Sequence, residues 1–324
     1  MAETASEQIP VTVLTGYLGA GKTTLLNRIL SENHGRRYAV VINEFGELGV
    51  DNDLIVDADE EVFEMNNGCV CCTVRGDLIR IIGGLMKRRG KFDGIIIETT
   101  GLANPAPVAQ TFFVDEEART KTRLDAIVTV VDAKHLPRRL ADSHEAEDQI
   151  AFADVIVLNK TDLVSPEELE DVERRIRAVN RFAQIHRTER AALPLAEVLH
   201  RGAFDLDRVL EREPTFLADD AHEHDDDIAS VSLELERAID AEKFNAWISA
   251  LLATKGQDLL RTKGILNFAA EDRRFGFQAV HMMADGDFIG PWRDGEPRRS
   301  RLVFIGRNLS RPDLRRGFES CQVD

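Results

Sequence analysis

The chain lacks any apolar run long enough to span a membrane. Its first residues, Met1-Ala2-Glu3-Thr4, carry neither the basic stretch nor the apolar core of a secretory leader, so a cytoplasmic location and no membrane partner are expected. Cysteine is scarce: there are four, and three of them crowd together at Cys69, Cys71 and Cys72. That spacing excludes a disulfide framework and suits a thiolate metal or redox site in a reducing compartment. Positive charge is in deficit. The 41 Lys and Arg against 57 Asp and Glu give a net charge of −16, which argues against nucleic acid as the main partner. From Ser230 onward the balance is +1, leaving −17 on the first 229 residues. That excess favours cations near the N-terminal part, and a solvated acidic surface explains it as well. No repeat is present, and no low-complexity tract beyond one acidic stretch. What remains is an ordinary soluble composition, 43% apolar and 30% charged, in a chain long enough for two domains.

Up to about residue 210, short β-branched runs alternate with helical patterns. Val11–Leu14, opened by Pro10, Tyr38–Asn43, Gly94–Glu98, Ala126–Asp132 and Asp154–Asn159 are flat apolar runs that read as strands buried on both faces. Leu78–Met86, Pro166–Val179 and Leu195–His200 read as helices. Alternation of this kind predicts an α/β domain with a mostly parallel sheet over residues 1–210. Residues 211–229 include Pro214 and the run Asp219 to Asp227, which can bury nothing and reads as an exposed acidic linker. Residues 230–324 predict a smaller α+β domain. Its strands are Val231–Leu235, Gly264–Phe268, Phe275–Met282 and Arg301–Ile305, and its helices are Ala241–Leu252 and Asp313–Phe318.

The first chemical signal is Gly16-Tyr17-Leu18-Gly19-Ala20-Gly21-Lys22-Thr23-Thr24, a G-x-x-x-x-G-K-[ST] loop between a strand and a helix. The glycines let backbone N–H groups converge on phosphates, and the helix N-terminus adds positive potential. Lys22 would reach the β- and γ-phosphates, and Thr23 would ligate Mg²⁺. Roughly 140 residues later, Asn159-Lys160-Thr161-Asp162 follows an apolar strand. There the Asp162 carboxylate can accept both N1–H and the 2-amino group of guanine, a donor pair that adenine lacks, so GTP is the expected nucleotide. Glu98-Thr99-Thr100-Gly101 ends a buried strand in an acid that can hold Mg²⁺ or its water, with Gly101 letting the backbone approach the γ-phosphate. Asn43 to Asp51 sits where a nucleotide-dependent switch belongs. Glu44, Glu47 and Asp51 are its candidate metal contacts, and Gly46 and Gly49 would let it rearrange.

Asn67-Gly68-Cys69-Val70-Cys71-Cys72 places three thiols within four residues just before a helical pattern. Clustered thiolates are soft ligands for Zn²⁺, Cu⁺ or Co²⁺, and three of them leave one tetrahedral position open for exchange. A redox pair and inert buried thiols are the competing readings, although adjacent Cys71 and Cys72 pair poorly as a disulfide. His222 and His224 would make a weak metal-collecting arm or are incidental to a solvated linker. Cys321, and His281 in an apolar strand, read as structural.

Taken together these motifs look like the CobW family of P-loop GTPases, and among its members the zinc-regulated GTPase metalloprotein activators. Leu102-Ala103-Asn104-Pro105, after Gly101, adds to the likeness. In the second domain Arg261-Thr262-Lys263-Gly264 and Leu302-Val303-Phe304-Ile305-Gly306 are similar to that family's C-terminal part. The resemblance implies a GTP-hydrolysing metallochaperone that binds zinc at the Cys-x-Cys-Cys and hands it to a client metalloprotein. It gives Lys22 and Thr23 to phosphate and Mg²⁺, Glu98 and Gly101 to the switch, Asn159 and Asp162 to guanine, and Cys69, Cys71 and Cys72 to the transferred ion. Cobalt delivery for cobalamin synthesis, or a redox-sensing regulatory GTPase, are the alternatives. A nucleotide- or metal-dependent homodimer stays open. One departure stands out: many members carry a long His-rich tract between the domains, where this chain keeps only His222 and His224.

Overall fold

The computed structural model describes residues 8–43, 62–65, 73–88, 90–202, 228–292 and 295–323. The chain divides into two compact units, Met1–Arg175 with Ala183–Ala203, and Ile176–Phe182 with Phe204–Asp324. Among the described residues, no helix is long and apolar enough to cross a membrane.

In the first unit, seven strands form one sheet: β1 (Ile9–Thr15), β2 (Tyr38–Asn43), β3 (Val62–Met65), β4 (Gly94–Glu98), β5 (Thr122–Asp132), β6 (Val155–Asn159) and β7 (Gln184–Arg187). Their order is β3-β2-β4-β1-β5-β6-β7 and every pairing is parallel. The flat apolar runs have the expected cause: Val11, Val13, Ile95, Ile96, Val128, Val130, Ile156 and Val157 are buried. Among the described residues, seven helices accompany the strands: α1 (Lys22–Ser31), α2 (Thr73–Met86), α3 (Ala106–Val114), α4 (Glu116–Lys121), α5 (Leu136–Asp142), α6 (His144–Phe152) and α7 (Pro166–Val179). After β1 the chain fills one side of the sheet with β2 and β3, returns to β4 beside β1, and then crosses to β5 on the other side. That reversal opens a crevice at the carboxyl ends of β1 and β5, where open parallel sheets bind ligands.

Pro10 lies second in β1, a central strand. Proline is tolerated in such a strand at its start or beside a bulge, and the β1–β5 pairing slips between Val11 and Thr12. The extra residue on β5 is Asp125, whose buried carboxylate accepts the N–H groups of Arg201 and Gly202 at 2.9 Å each. The run Leu195–His200 is not a full helix; a short 3₁₀ turn covers Leu195–Glu197 and the chain then turns at His200, with φ 53°. Helices α3, α4, α5 and α6 and strands β3 and β7 are short and lie outside the elements expected from the sequence.

The second unit holds a five-stranded antiparallel sheet of order β11-β10-β9-β12-β8. Its strands are β8 (Ile228–Leu235), β9 (Leu259–Leu266), β10 (Arg273–Val280), β11 (Met283–Pro291) and β12 (Ser300–Arg307). Two helices, α8 (Ala241–Lys255) and α9 (Arg311–Glu319), contribute Phe244, Ile248, Leu314 and Phe318 to a core shared with Val231, Leu233 and Phe304. The N-terminus of α8 is capped by Asp240, which accepts the N–H of Lys243 at 2.9 Å. His281 is not in a strand. It sits with Met282 in the tight turn joining β10 to β11, at φ 52°, with its own N–H on the Leu260 carbonyl. Phe268 leaves β9 and makes an isolated bridge to Ile239. Cys321 is buried, and burial pushes its thiol pKa up.

Candidate nucleotide site

The Gly16–Thr24 loop leaves β1 and enters α1 at the carboxyl edge of the sheet. Gly16 and Gly21 have φ of 140° and 114°, a region that L side chains avoid. Space adds a second demand at both. A Cβ on Gly16 would lie 2.2 Å from the Val130 carbonyl oxygen, and one on Gly21 would lie 2.5 Å from Nδ2 of Asn159. Within the loop the buried Lys22 ammonium donates to the Gly16 carbonyl at 2.8 Å and to the Tyr17 carbonyl at 3.4 Å. Thr23, next in α1, is partly exposed, and Leu25, Leu26 and Ile29 anchor the helix in the core.

At the end of β6, Asn159 ties three segments together. Its Nδ2 donates to the Ala20 carbonyl at 3.0 Å, while its Oδ1 accepts from Ala191 N–H at 2.8 Å and from the Thr188 hydroxyl at 3.2 Å. Lys160 follows in the left-handed region, φ 61° and ψ 37°, at a cost of about 1–3 kcal/mol for a non-glycine residue. Its ammonium donates to the Gly19 carbonyl at 2.8 Å and to Asp132 at 2.6 Å, which offsets that cost. Thr161 is pinned to the Thr188 carbonyl by both its N–H and its hydroxyl, at 3.2 and 3.1 Å. Asp162 is exposed at the rim. So the two motifs, far apart in sequence, are in direct contact through Asn159 and Lys160.

Glu98 is buried at the end of β4, in register with Leu14 of β1. Beyond it the Thr99 hydroxyl donates to that of Thr15 at 2.9 Å. Gly101 has an ordinary φ, but a Cβ there would stand 2.7 Å from the backbone nitrogen of Leu18. The glycine is therefore what lets this turn close on the phosphate loop. Asn43 ends β2 beside Glu98, since Ile42 pairs with Glu98. Glu44, Glu47 and Asp51, the cysteines Cys69, Cys71 and Cys72, and His222 and His224 lie outside the described residues. Among the described residues no cluster of three or more His, Cys, Asp or Glu side chains could hold a metal ion.

Three features went unread in the sequence. Asp132 ends an apolar strand, as Glu98 does, and that shared pattern was the available signal. Burial alone would raise its pKa, but hydrogen bonds from Lys160 and His135 together outweigh burial and hold it below the ordinary aspartate value. Beside it, a cavity of about 190 Å³ opens behind the phosphate loop, between Tyr17, Leu18 and Gly19 and helices α5 and α6. Arg139 from α5 stacks over the Tyr17 ring, 4.7 Å from its centroid. Gln149 of α6, buried in the cavity wall, is the third, visible in sequence only as a polar residue on an apolar face with Ala146 and Ile150.

The donors fit a Mg²⁺-bound nucleoside triphosphate: a lysine already turned into the loop, the close-packed glycines Gly16 and Gly21, a helix N-terminus, the Thr23 hydroxyl in the first turn of α1 and the Glu98 carboxylate at the end of β4. Comparison with known proteins agrees. A family model described as "CobW/HypB/UreG, nucleotide-binding domain" matches residues 10–187, and one described as "Cobalamin synthesis protein cobW C-terminal domain" matches residues 228–322. "Zinc chaperone YjiA" of Escherichia coli (strain K12) is 36% identical over 317 residues, 96% of this chain and 98% of that protein. "Zinc-regulated GTPase metalloprotein activator 1" of Schizosaccharomyces pombe is 35% identical, covering 94% of this chain and 84% of that one. The solved structure described as "Crystal structure of Zn(II)-bound YjiA GTPase from E. coli" superposes with a TM-score of 0.75 at 31% identity, over 98% of this chain and all of the other.

Proposed function

Because the chain belongs to the CobW family, whose nucleotide-binding and C-terminal models together match most of its length, we propose that this GTPase is a metallochaperone that loads Zn²⁺ at Cys69, Cys71 and Cys72 and delivers it to a client metalloprotein. The observation that carries the nucleotide half is the contact between the guanine motif and the phosphate loop through Asn159 and Lys160. The metal half is supported by relatives named as zinc chaperones and by the soft donor set of the three thiols. The organisation that goes with it is a nucleotide domain over 1–210, an acidic linker over 211–229 and a C-terminal domain over 230–324.

Each residue then has a role set by its chemistry. Lys22 neutralises charge on the β- and γ-phosphates, with the N–H groups of Gly19, Ala20, Gly21, Thr23 and Thr24 around it. Thr23 and Glu98 would hold Mg²⁺ directly or through water, with Glu44 and Asp51 as further candidate oxygen ligands. Asp162 selects guanine, and Lys160 flanks the base. Cys69, Cys71 and Cys72 lie in sequence between the Glu44–Asp51 stretch and Glu98–Gly101, so the transferred ion and the γ-phosphate would bias the same switch. If GTP tightens Zn²⁺ binding, Zn²⁺ must tighten GTP binding by the same factor. Three thiolates leave one coordination position open, which lets a client thiolate or imidazole enter before the last cysteine leaves. Co²⁺ accepts the same geometry and would compete.

The test is Zn²⁺ affinity by competition with a calibrated chelator, with a non-hydrolysable GTP analogue, with GDP, and without nucleotide. The expected result is tight binding with the analogue that weakens with GDP and is lost when Cys69, Cys71 and Cys72 are changed to Ser. Affinity that is weak and indifferent to nucleotide would remove the metallochaperone reading and leave a GTPase whose cysteines serve redox chemistry.

A further inference from the structure

Helix α6 carries none of the sequence motifs, yet it holds the turn after β4 at several points. Gln149 on its inner face is 1% exposed. Burying a primary amide is costly unless its donors are matched. Both of its donor bonds go to one place: Nε2 donates to the Gly101 carbonyl and to the Ala103 carbonyl, each at 3.1 Å. One residue earlier, Asp148 accepts from Asn104 Nδ2 at 2.9 Å, and Asn104 in turn accepts the Ala106 N–H at 2.8 Å, closing the start of α3. The helix is itself held to the sheet where the Thr129 hydroxyl of β5 donates to the Gln149 carbonyl at 2.8 Å. The same turn also meets the phosphate loop, with the Gly101 Cβ position 2.7 Å from the Leu18 nitrogen.

We propose that Gln149 is a positioning residue for GTP hydrolysis, its amide setting the Gly101–Ala103 turn against the phosphate loop while Asp148 fixes Asn104 behind it. The proposal rests on the reading above that this turn serves the γ-phosphate. In a trans peptide the C=O and the next N–H point in opposite directions. Holding the Gly101 carbonyl on Gln149 therefore aims the Leu102 N–H away from α6. Rotation of that one peptide would break the Gln149 bond, so the amide biases the turn toward a single orientation. Gln149 touches no nucleotide in this account; it acts through Gly101.

The experiment compares wild type, Gln149→Met and Gly101→Ala for kcat and KM of GTP hydrolysis, and for affinity toward GDP and a GTP analogue. Methionine matches the length of glutamine and has no donor. Gln149→Met is expected to lower kcat roughly tenfold or more, since small misplacements near reacting groups have effects of that size. GDP affinity should stay within about twofold, and KM should change much less than kcat, as expected for a residue that positions groups in the transition state. A kcat near wild type in Gln149→Met, with Gly101→Ala inactive, overturns the proposal and leaves the role of the turn intact. Wild-type kcat in both variants overturns that role and the proposal with it. Equal losses of kcat and GDP affinity assign Gln149 a merely structural part and also overturn it. Should Gln149→Met fail to fold, Asp148→Ala at the half-buried neighbouring position carries the same test. It should lower kcat at unchanged GDP affinity, and a wild-type kcat there rejects the idea.

Discussion

At the scale of single residues, the site depends on side chains that serve two segments at once. Asn159 holds the phosphate loop with its amide N–H and the Thr188–Ala191 segment with its carbonyl oxygen. Asn159→Ala leaves the Ala191 N–H and the Ala20 carbonyl buried without that partner. Each such loss costs about 1–3 kcal/mol, so urea unfolding should show a drop of about 2–6 kcal/mol, together with a fall in GDP affinity. Asp132 is a second such residue, since it braces Lys160 from below while Lys160 reaches Gly19. Its folded-state pKa is depressed, so its contribution to stability is full above the unfolded value of about 3.9 and is lost as pH falls through the folded value. Asp132→Asn should weaken guanine-nucleotide binding at neutral pH, measured with a fluorescent GDP, and should flatten the acid limb of the stability curve below about pH 4. Lys22, Asn159 and Lys160 were legible in the sequence because their motifs tie residue type to spacing. Asp132, Arg139 and Gln149 were not, because each belongs to the site through contacts across helices and strands that no local pattern encodes.

At the scale of elements, the strands were readable wherever they are flat and apolar. Tyr38–Asn43 and Gly94–Glu98 begin and end where their composition says they should, and the amphipathic α7 does the same. Strand β11 was missed because its burial alternates along an edge that carries Asp285, Gly286 and Asp287, a composition that reads as loop. The end of the first unit is fastened at His200, which meets the Tyr38 hydroxyl at 2.9 Å and Arg36 Nη1 at 2.8 Å. Burial first, and then the Arg36 charge, lower its pKa below the ordinary histidine value. The neutral ring is therefore the folded form. Stability from this residue is complete above the unfolded pKa of about 6.5 and is lost as pH falls below it, because the unfolded chain takes up the proton more readily. The melting temperature should drop between about pH 7.5 and 5.5, and His200→Gln should reduce that drop. In the second unit α9 approaches Trp247 so closely that a Cβ on Gly317 would meet Trp247 Nε1 at 2.0 Å, and the indole stacks on Phe318 at 5.7 Å. Gly317→Ala should cost about 1–3 kcal/mol through overpacking, despite the better helix propensity of alanine, and calorimetry would read the sign.

At the scale of the whole molecule, charge is the property that acts over distance. A net charge of −16 repels itself in the compact state. Raising ionic strength from about 0.01 to 0.15 M shortens the screening length from about 30 to 8 Å, so the melting temperature should rise with salt. A fall with salt would mean that attractive ion pairs outweigh the net repulsion. The same surplus of carboxylates suits a protein proposed to handle divalent cations, and in that proposal the soft thiols of Cys69, Cys71 and Cys72 would favour Zn²⁺ over Mg²⁺.

Sequence by itself determined the nucleotide class and the parallel sheet, and it marked a candidate metal-binding triad, because each depends on residue type at short spacing: glycines before a lysine, β-branched runs between helices, three thiols within four residues. Tertiary structure alone decided which distant residues support that chemistry. It brought Asn159 against Gly21, Leu18 against Gly101, and Gln149 under the turn that Gly101 begins. The physical reason is that these contacts are made where the carboxyl ends of separate parallel strands converge, and strand order, which brings β1 between β4 and β5, is set by long-range packing rather than by neighbours in the chain.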